Sequence, residues 1–187
     1  MRYTVVFDAC VLYPAPLRDL LLRLSITGLF SAKWTDKIHD EWITNLLDSR
    51  PELRDKLPRT RELMNQAVPD ALVTGYEPLI SNLELPDTND RHVLAAAIRA
   101  GAQAIITFNL KDFPDDVLAQ YGIEAMHPDA FIEHQLDLRE GAVIATAKQH
   151  RDSLKSPPKT ADEYIETMAS QGLAISADRL RDFIDLI

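Results

Sequence analysis

The sequence predicts an α/β fold, a parallel sheet flanked by helices, with an all-helical C-terminal extension. Three observations carry this expectation. Tyr3–Phe7 and Ala104–Phe108 are short apolar runs with the β-branched and aromatic content of buried strands, and Ile123–Met126 reads as a last strand. The segments between them carry apolar residues at helical spacing, and strands that alternate with helices form a parallel sheet with right-handed crossovers. Beyond His127 only helical patterns remain, which divides the chain into a first domain, 1–127, and an extension, 128–187.

Each element has its local signal. After the first strand, Ala9–Pro16 reads as a loop punctuated by two prolines. A helix follows over Leu17–Thr27, with Leu17, Leu20, Leu21 and Leu24 on one face and Gly28 as its stop. Phe30–Trp34 suggests a brief extended piece. Thr35 or Asp36 caps a helix to about Asp48 in which Ile38, Trp42, Leu46 and Leu47 face inward, with Glu41 beside that stripe and Asn45 one turn on. A third helix is expected from Pro51, broken or kinked at Pro58. Ala71–Thr74 reads weakly as an edge strand. Leu85–Asp90 forms a polar turn that opens a helix over Arg91–Ala100, closed by Gly101, and its Ala95-Ala96-Ala97 run permits close packing on a sheet. Asp115–Tyr121 is a short helix.

In the extension, Pro128 starts a helix that continues or restarts through Arg139 to His150. Ser153–Lys159 is a linker-like break. Thr160-Ala161-Asp162-Glu163 is a capping-box pattern opening a helix that Gly172 closes, and Ser176 is expected to cap a last helix carrying Leu180, Phe183, Ile184 and Ile187.

Composition narrows the function classes. A chain of 187 residues is long enough for a substantial core. Its net charge of −9 argues against gripping nucleic acid by bulk charge, though not against an enzyme that reaches phosphates through bound metal. No apolar run approaches the roughly 18 residues of a membrane span, and the N-terminus runs straight into a strand without signal-peptide features. Cys10 is the only cysteine, so no internal disulfide forms and cytoplasmic residence is the expectation.

The acids carry the chemistry. Asp8 directly extends an apolar strand, Glu41 lies on the second long helix, Asp87 and Asp90 stand at a helix entrance, and Asp112 follows the Ile105-Ile106-Thr107 run. In a parallel sheet these points converge on one edge, where several carboxylates repel unless neutralised. Hard oxygen ligands select Mg²⁺ or Mn²⁺, and one or two such ions activate water and stabilise the leaving oxygen in phosphodiester cleavage. Each acid also has a plainer reading taken alone: Asp87 and Asp90 as helix caps, Glu41 as a solvated face residue, Asp112 as a turn residue. No His/Cys spacing suggests zinc.

Taken together, the order of segments is more specific. Phe7-Asp8-Ala9-Cys10, the helix bearing Glu41, Leu85-Pro86-Asp87-Thr88-Asn89-Asp90-Arg91-His92-Val93-Leu94-Ala95-Ala96-Ala97 and Ile106-Thr107-Phe108-Asn109-Leu110-Lys111-Asp112-Phe113-Pro114 resemble the PIN-domain nucleases, and within them the bacterial VapC-type toxins of toxin–antitoxin pairs. The resemblance covers about residues 3–130. It implies a Mg²⁺- or Mn²⁺-dependent endoribonuclease, with RNA as substrate, a cognate antitoxin as partner and pairing into a homodimer. Asp8, Glu41 and Asp90 match three family acids as catalytic metal ligands. Many members carry Asp where this chain has Asn109, so Asp112 is expected as the fourth catalytic residue and metal ligand, with the amide oxygen of Asn109 as the alternative. Asp87 is an extra acid, and Thr107 is placed to orient a ligand. The helical extension is like that of one subgroup of these toxins, with antitoxin docking, dimerisation or core coverage as its roles.

Other residues divide between function and packing. Arg18, after the proline loop, is a candidate partner of a site acid or substrate phosphate. Arg50–Glu62 carries five cations against three acids, read slightly in favour of a solvated helix over a phosphate grip. Trp34 and Trp42 read as core. A receiver domain requires an acidic pair at the first strand and a haloacid-dehalogenase-type phosphatase requires Asp-x-Asp, whereas Cys10 stands two past Asp8; a dinucleotide binder requires a glycine-rich first turn. The alternative that remains is a PIN-like module that binds an antitoxin or RNA without useful catalysis.

Overall fold

The computed structural model describes residues 2–187. In chain order its elements are β1 (Thr4–Phe7), α1 (Ala9–Leu12), α2 (Ala15–Ile26), β2 (Ser31–Lys33), α3 (Asp36–Ser49), α4 (Leu57–Ala67) and α5 (Glu77–Ile80). They continue with α6 (Arg91–Ala100), β3 (Ala104–Ile106), α7 (Asp115–Leu118), β4 (Glu124–Met126), α8 (Pro128–Ser153), α9 (Ala161–Ser170) and α10 (Ala174–Arg181). Two compact units result, one built from 1–13 and 30–127, the other from 14–29 and 128–187. The boundary expected at 127/128 put Pro14–Leu29 with the first domain; packing groups it with the C-terminal helices.

In the first unit the four strands are parallel in the order β2–β1–β3–β4, with Val6 opposite Lys33 on one side and Ile105 on the other. Val5, Val6, Phe7, Ile105 and Ile106 are fully buried because the two central strands have neighbours on both edges and covered faces. The chain adds β2 on one side of β1 and later β3 and β4 on the other. Strand order therefore reverses between β1 and β3, and the crevice beyond their carboxyl ends is where open α/β sheets place ligands. Asp8 follows β1 and Thr107 follows β3. The Ala95-Ala96-Ala97 run of α6 is buried, and α6 packs on both central strands. Gly101 ends α6 in the left-handed region, φ 61°, where a side chain is disfavoured.

Several local expectations are corrected. Ala9–Leu12 is a turn of helix rather than loop, started by the Asp8 carboxylate. Pro58 does not break a helix from Pro51; it lies in the first turn of α4, where its missing N–H costs nothing, while Pro51–Leu53 is a separate 3-10 turn. The edge strand at Ala71–Thr74 reduces to one parallel bridge, Trp34 opposite Leu72. Thr35 is the cap of α3, its hydroxyl accepting from the Ile38 N–H at 3.0 Å. Trp34 and Trp42 are core: each indole N–H is satisfied within the unit, by Asn65 at 2.7 Å and His39 at 3.0 Å.

The second unit is α2 with α8, α9 and α10. Helix α8 restarts at Arg139, whose φ/ψ of −151°/60° interrupts it. The capping box at Thr160 and Glu163 forms as expected. Ser176 does not cap α10, which begins two residues earlier without a side-chain cap of its own. Instead the buried Asp129 reaches from α8 to accept the N–H groups of Ile175 at 2.9 Å and Ser176 at 2.8 Å, and the Ser176 hydroxyl at 2.6 Å. Three donors on one buried carboxylate form a charge-assisted cap. We expect Asp129→Ala to cost about 3 kcal/mol. For a chain of this length that lowers the thermal midpoint by roughly 6–12 °C, and an unmoved midpoint by circular dichroism would refute the assignment. His150 links the same unit, its Nδ1 3.1 Å from the Tyr164 hydroxyl and its Nε2 3.2 Å from Asp19. Among the described residues no helix is long and apolar enough to cross a membrane.

Candidate functional site

Asp8 is 5% exposed and held on both carboxylate oxygens. Oδ1 accepts the Ala9 N–H at 2.7 Å; Oδ2 accepts the Thr107 hydroxyl at 2.8 Å and lies 3.2 Å from the Cys10 sulfur. The same threonine oxygen accepts the Asn109 N–H at 3.0 Å, and Cys10 Sγ accepts the Phe108 N–H at 3.3 Å. These bonds tie the turn after β1 to the turn after β3. Burial first, then the charge of Asp8, pushes the Cys10 thiol up to about 12, so it stays protonated at neutral pH.

Asp90 and Asp87 separate on geometry. Asp87 acts as a cap, its carboxylate accepting the Asn89 N–H at 2.8 Å over the 3-10 turn Thr88–Asp90. Asp90 makes no side-chain cap bond at the start of α6. Its carboxyl is pushed up to about 6 by burial and by the charges of Asp8, Asp87 and Asp112. That is the signature of negative charge gathered without a compensating cation.

Glu41 comes from α3, and its Oε1 lies 2.8 Å from His92 Nε2 on α6. Asp8, Glu41 and Asp90 open into one cavity of about 720 Å³, with Asn45, Asn89 and Asn109 on its wall and no lysine or arginine in its lining. Asn109 thus faces the cavity. Asp112, expected as the fourth ligand, is not among the residues lining the cavity, though its charge raises the Asp90 carboxyl. Arg18 lies on α2 in the helical unit, where burial lowers its guanidinium to about 10. In the Arg50–Glu62 stretch, Arg50 pairs with Glu52, Arg59 with Glu62, and Arg61 with Asp36 and Asp40, as on a solvated face.

Among the described residues no group of three or more His, Cys, Asp or Glu side chains is gathered closely enough to hold a metal ion as the side chains stand. The donor chemistry nevertheless fits a hard divalent cation: three carboxylates and an amide reach one open cavity whose wall lacks any other positive charge. Sequence reasoning missed Cys10 and His92 as neighbours of the acids. The signal available for His92 was a polar residue inside the apolar spacing of α6, two residues after Asp90.

Comparison with known proteins gives two family matches along the chain. A family model described as the PIN domain matches residues 4–111, and one described as the VapC50 C-terminal domain matches residues 128–182. A protein of Mycobacterium tuberculosis named "Putative ribonuclease VapC50" is 39% identical over 137 residues, covering 70% of this chain and 80% of that protein.

Proposed function

Since the chain belongs to the PIN-domain family, as a ribonuclease of the VapC toxin type, we propose that Asp8, Glu41 and Asp90 bind Mg²⁺ or Mn²⁺ for the hydrolysis of RNA. The observation that carries this reading is their convergence on a single cavity devoid of basic residues. When bound, the cation would supply positive charge to the scissile phosphate and favour deprotonation of a water. The chain's own contribution is orientation. Thr107 and the Ala9 N–H fix the Asp8 carboxylate before any ligand arrives, so little freedom is lost on binding. Asp90, without a capping duty, is available as a ligand. The Asn109 amide oxygen takes the fourth place, with Asp112 behind it as a source of negative potential. Hydrolysis adds water across one P–O bond, and uncharged amides on the cavity wall are suited to hydrogen-bond the RNA without holding its product too tightly.

A cognate antitoxin as partner, pairing of two copies and residence in the cytoplasm belong to the same reading, supported by the VapC likeness. The two-domain division, 1–127 and 128–187, is supported by where the two family matches fall. The test is cleavage of a structured RNA by the purified protein. We expect cleavage in millimolar Mg²⁺ or Mn²⁺, its loss in excess EDTA and its return on adding either ion back. A protein that neither cleaves RNA nor binds Mn²⁺ at millimolar concentration would instead be a PIN-like binding module.

A further inference from the structure

His92 is the one buried histidine whose two ring nitrogens both lack a hydrogen-bond partner among the described residues. It is 1% exposed, so both ring nitrogens are withdrawn from bulk solvent. Nε2 nevertheless lies 2.8 Å from Glu41 Oε1, close enough for a hydrogen bond but outside its angular range. An unsatisfied buried nitrogen is destabilising. A small rotation of the Glu41 carboxylate would remove that cost by bringing Oε1 into line with an Nε2–H. Glu41 needs such a partner: its side chain is a third exposed, and a free glutamate loses rotamer entropy when fixed.

Resting on the metal-site reading above, we propose that His92 is a positioning residue for Glu41. In the tautomer with its proton on Nε2, it donates to Oε1 and leaves Oε2 facing the acidic cavity. The arrangement is an outer partner orienting a ligand, contributed by the helix whose entrance carries Asp90. Placing both on α6 keeps Glu41 and Asp90 in a fixed relation, although they come from segments distant in the chain.

Two amide replacements separate this role from mere packing. A glutamine amide nitrogen reaches roughly where Nε2 stands, whereas an asparagine amide stops near Nδ1. Binding of Mn²⁺ alone, followed by loss of the free-ion electron paramagnetic resonance signal, is the readout. His92→Asn is expected to weaken Mn²⁺ binding about 10-fold or more, the range seen when outer partners of metal ligands are removed. His92→Gln should stay within about threefold of wild type by the same measure. In a Glu41→Gln background the further change His92→Asn should add nothing. Equal affinities of the Asn and Gln variants, whether both strong or both weak, overturn the proposal, as does an undiminished Asn effect in the Glu41→Gln background. Unaltered Mn²⁺ binding by Asp8→Asn overturns the metal-site reading and this proposal with it; loss there beside an unmoved His92→Asn overturns this proposal alone.

Discussion

Asp8→Asn is expected to lower RNA cleavage in Mg²⁺ by at least about 10²-fold, the scale on which removal of one preorganised electrostatic group acts. The substitution is nearly isosteric, so its effect is chemical. The amide oxygen still accepts the Ala9 N–H, and α1 keeps its start. The other position becomes an NH₂ that faces the Thr107 hydroxyl, a donor now set against a donor unless Thr107 turns. Loss of that bond costs about 1 kcal/mol of stability, too little to unfold the chain. A negative charge disappears from the cavity at the same time, and with it much of the attraction for a divalent cation. The comparison requires both proteins purified in parallel, so that a contaminating nuclease appears equally in each. Wild-type cleavage by the variant would remove Asp8 from the site.

Asp90→Asn is expected to act in two opposite directions. Cleavage should fall by about 10²-fold or more, for the electrostatic reason that applies to Asp8, while the metal-free protein becomes more stable. The sign follows from the carboxyl's rise from 3.8 to about 6 on folding. Between those values the folded state holds a proton that the unfolded state has released, so stability falls as pH rises through the window and the full cost of ionised Asp90 is present at pH 7. A shift of this size corresponds to at most about 3 kcal/mol, and water at a half-buried site screens it to about 1 kcal/mol. The variant's thermal midpoint at pH 7 without metal should therefore rise by roughly 2–4 °C. The gain should shrink as pH falls toward 4 and vanish well below 3.8, where wild-type Asp90 is protonated in both states. A variant that is less stable than wild type at pH 7 would show that Asp90 holds the fold together rather than waiting for a cation.

Much of the fold was legible because its signals are local. The alternation of apolar runs with amphipathic segments needs only neighbouring residues to be read, and β1, α3, α6 and β3 all lie where that pattern puts them. Local signals failed where length or chemistry was ambiguous. A single turn of helix such as α1 is too short to show periodicity, and a proline read as a breaker at Pro58 proved to be a helix starter. The start of α10 could not be found locally at all, since its cap, Asp129, stands 46 residues before Ile175. The affiliation of α2 with the C-terminal helices was equally hidden. Its leucine face announces burial without saying against what.

The sequence alone determined the class of fold, the four acidic segments and, through their order, the family, because strand and helix periods and motif spacing are properties of contiguous chain. Tertiary structure decided which acids lie together. Asp87 and Asp90 are three residues apart and chemically identical, yet one is spent on the Asn89 N–H and the other makes no cap bond and lies among like charges. Asn109 rather than Asp112 reaches the cavity wall, and His92 acquires meaning only from Glu41 at 2.8 Å. Hydrogen bonds and charge repulsion depend on distances through space, and the sheet's reversal between β1 and β3 is what sets those distances.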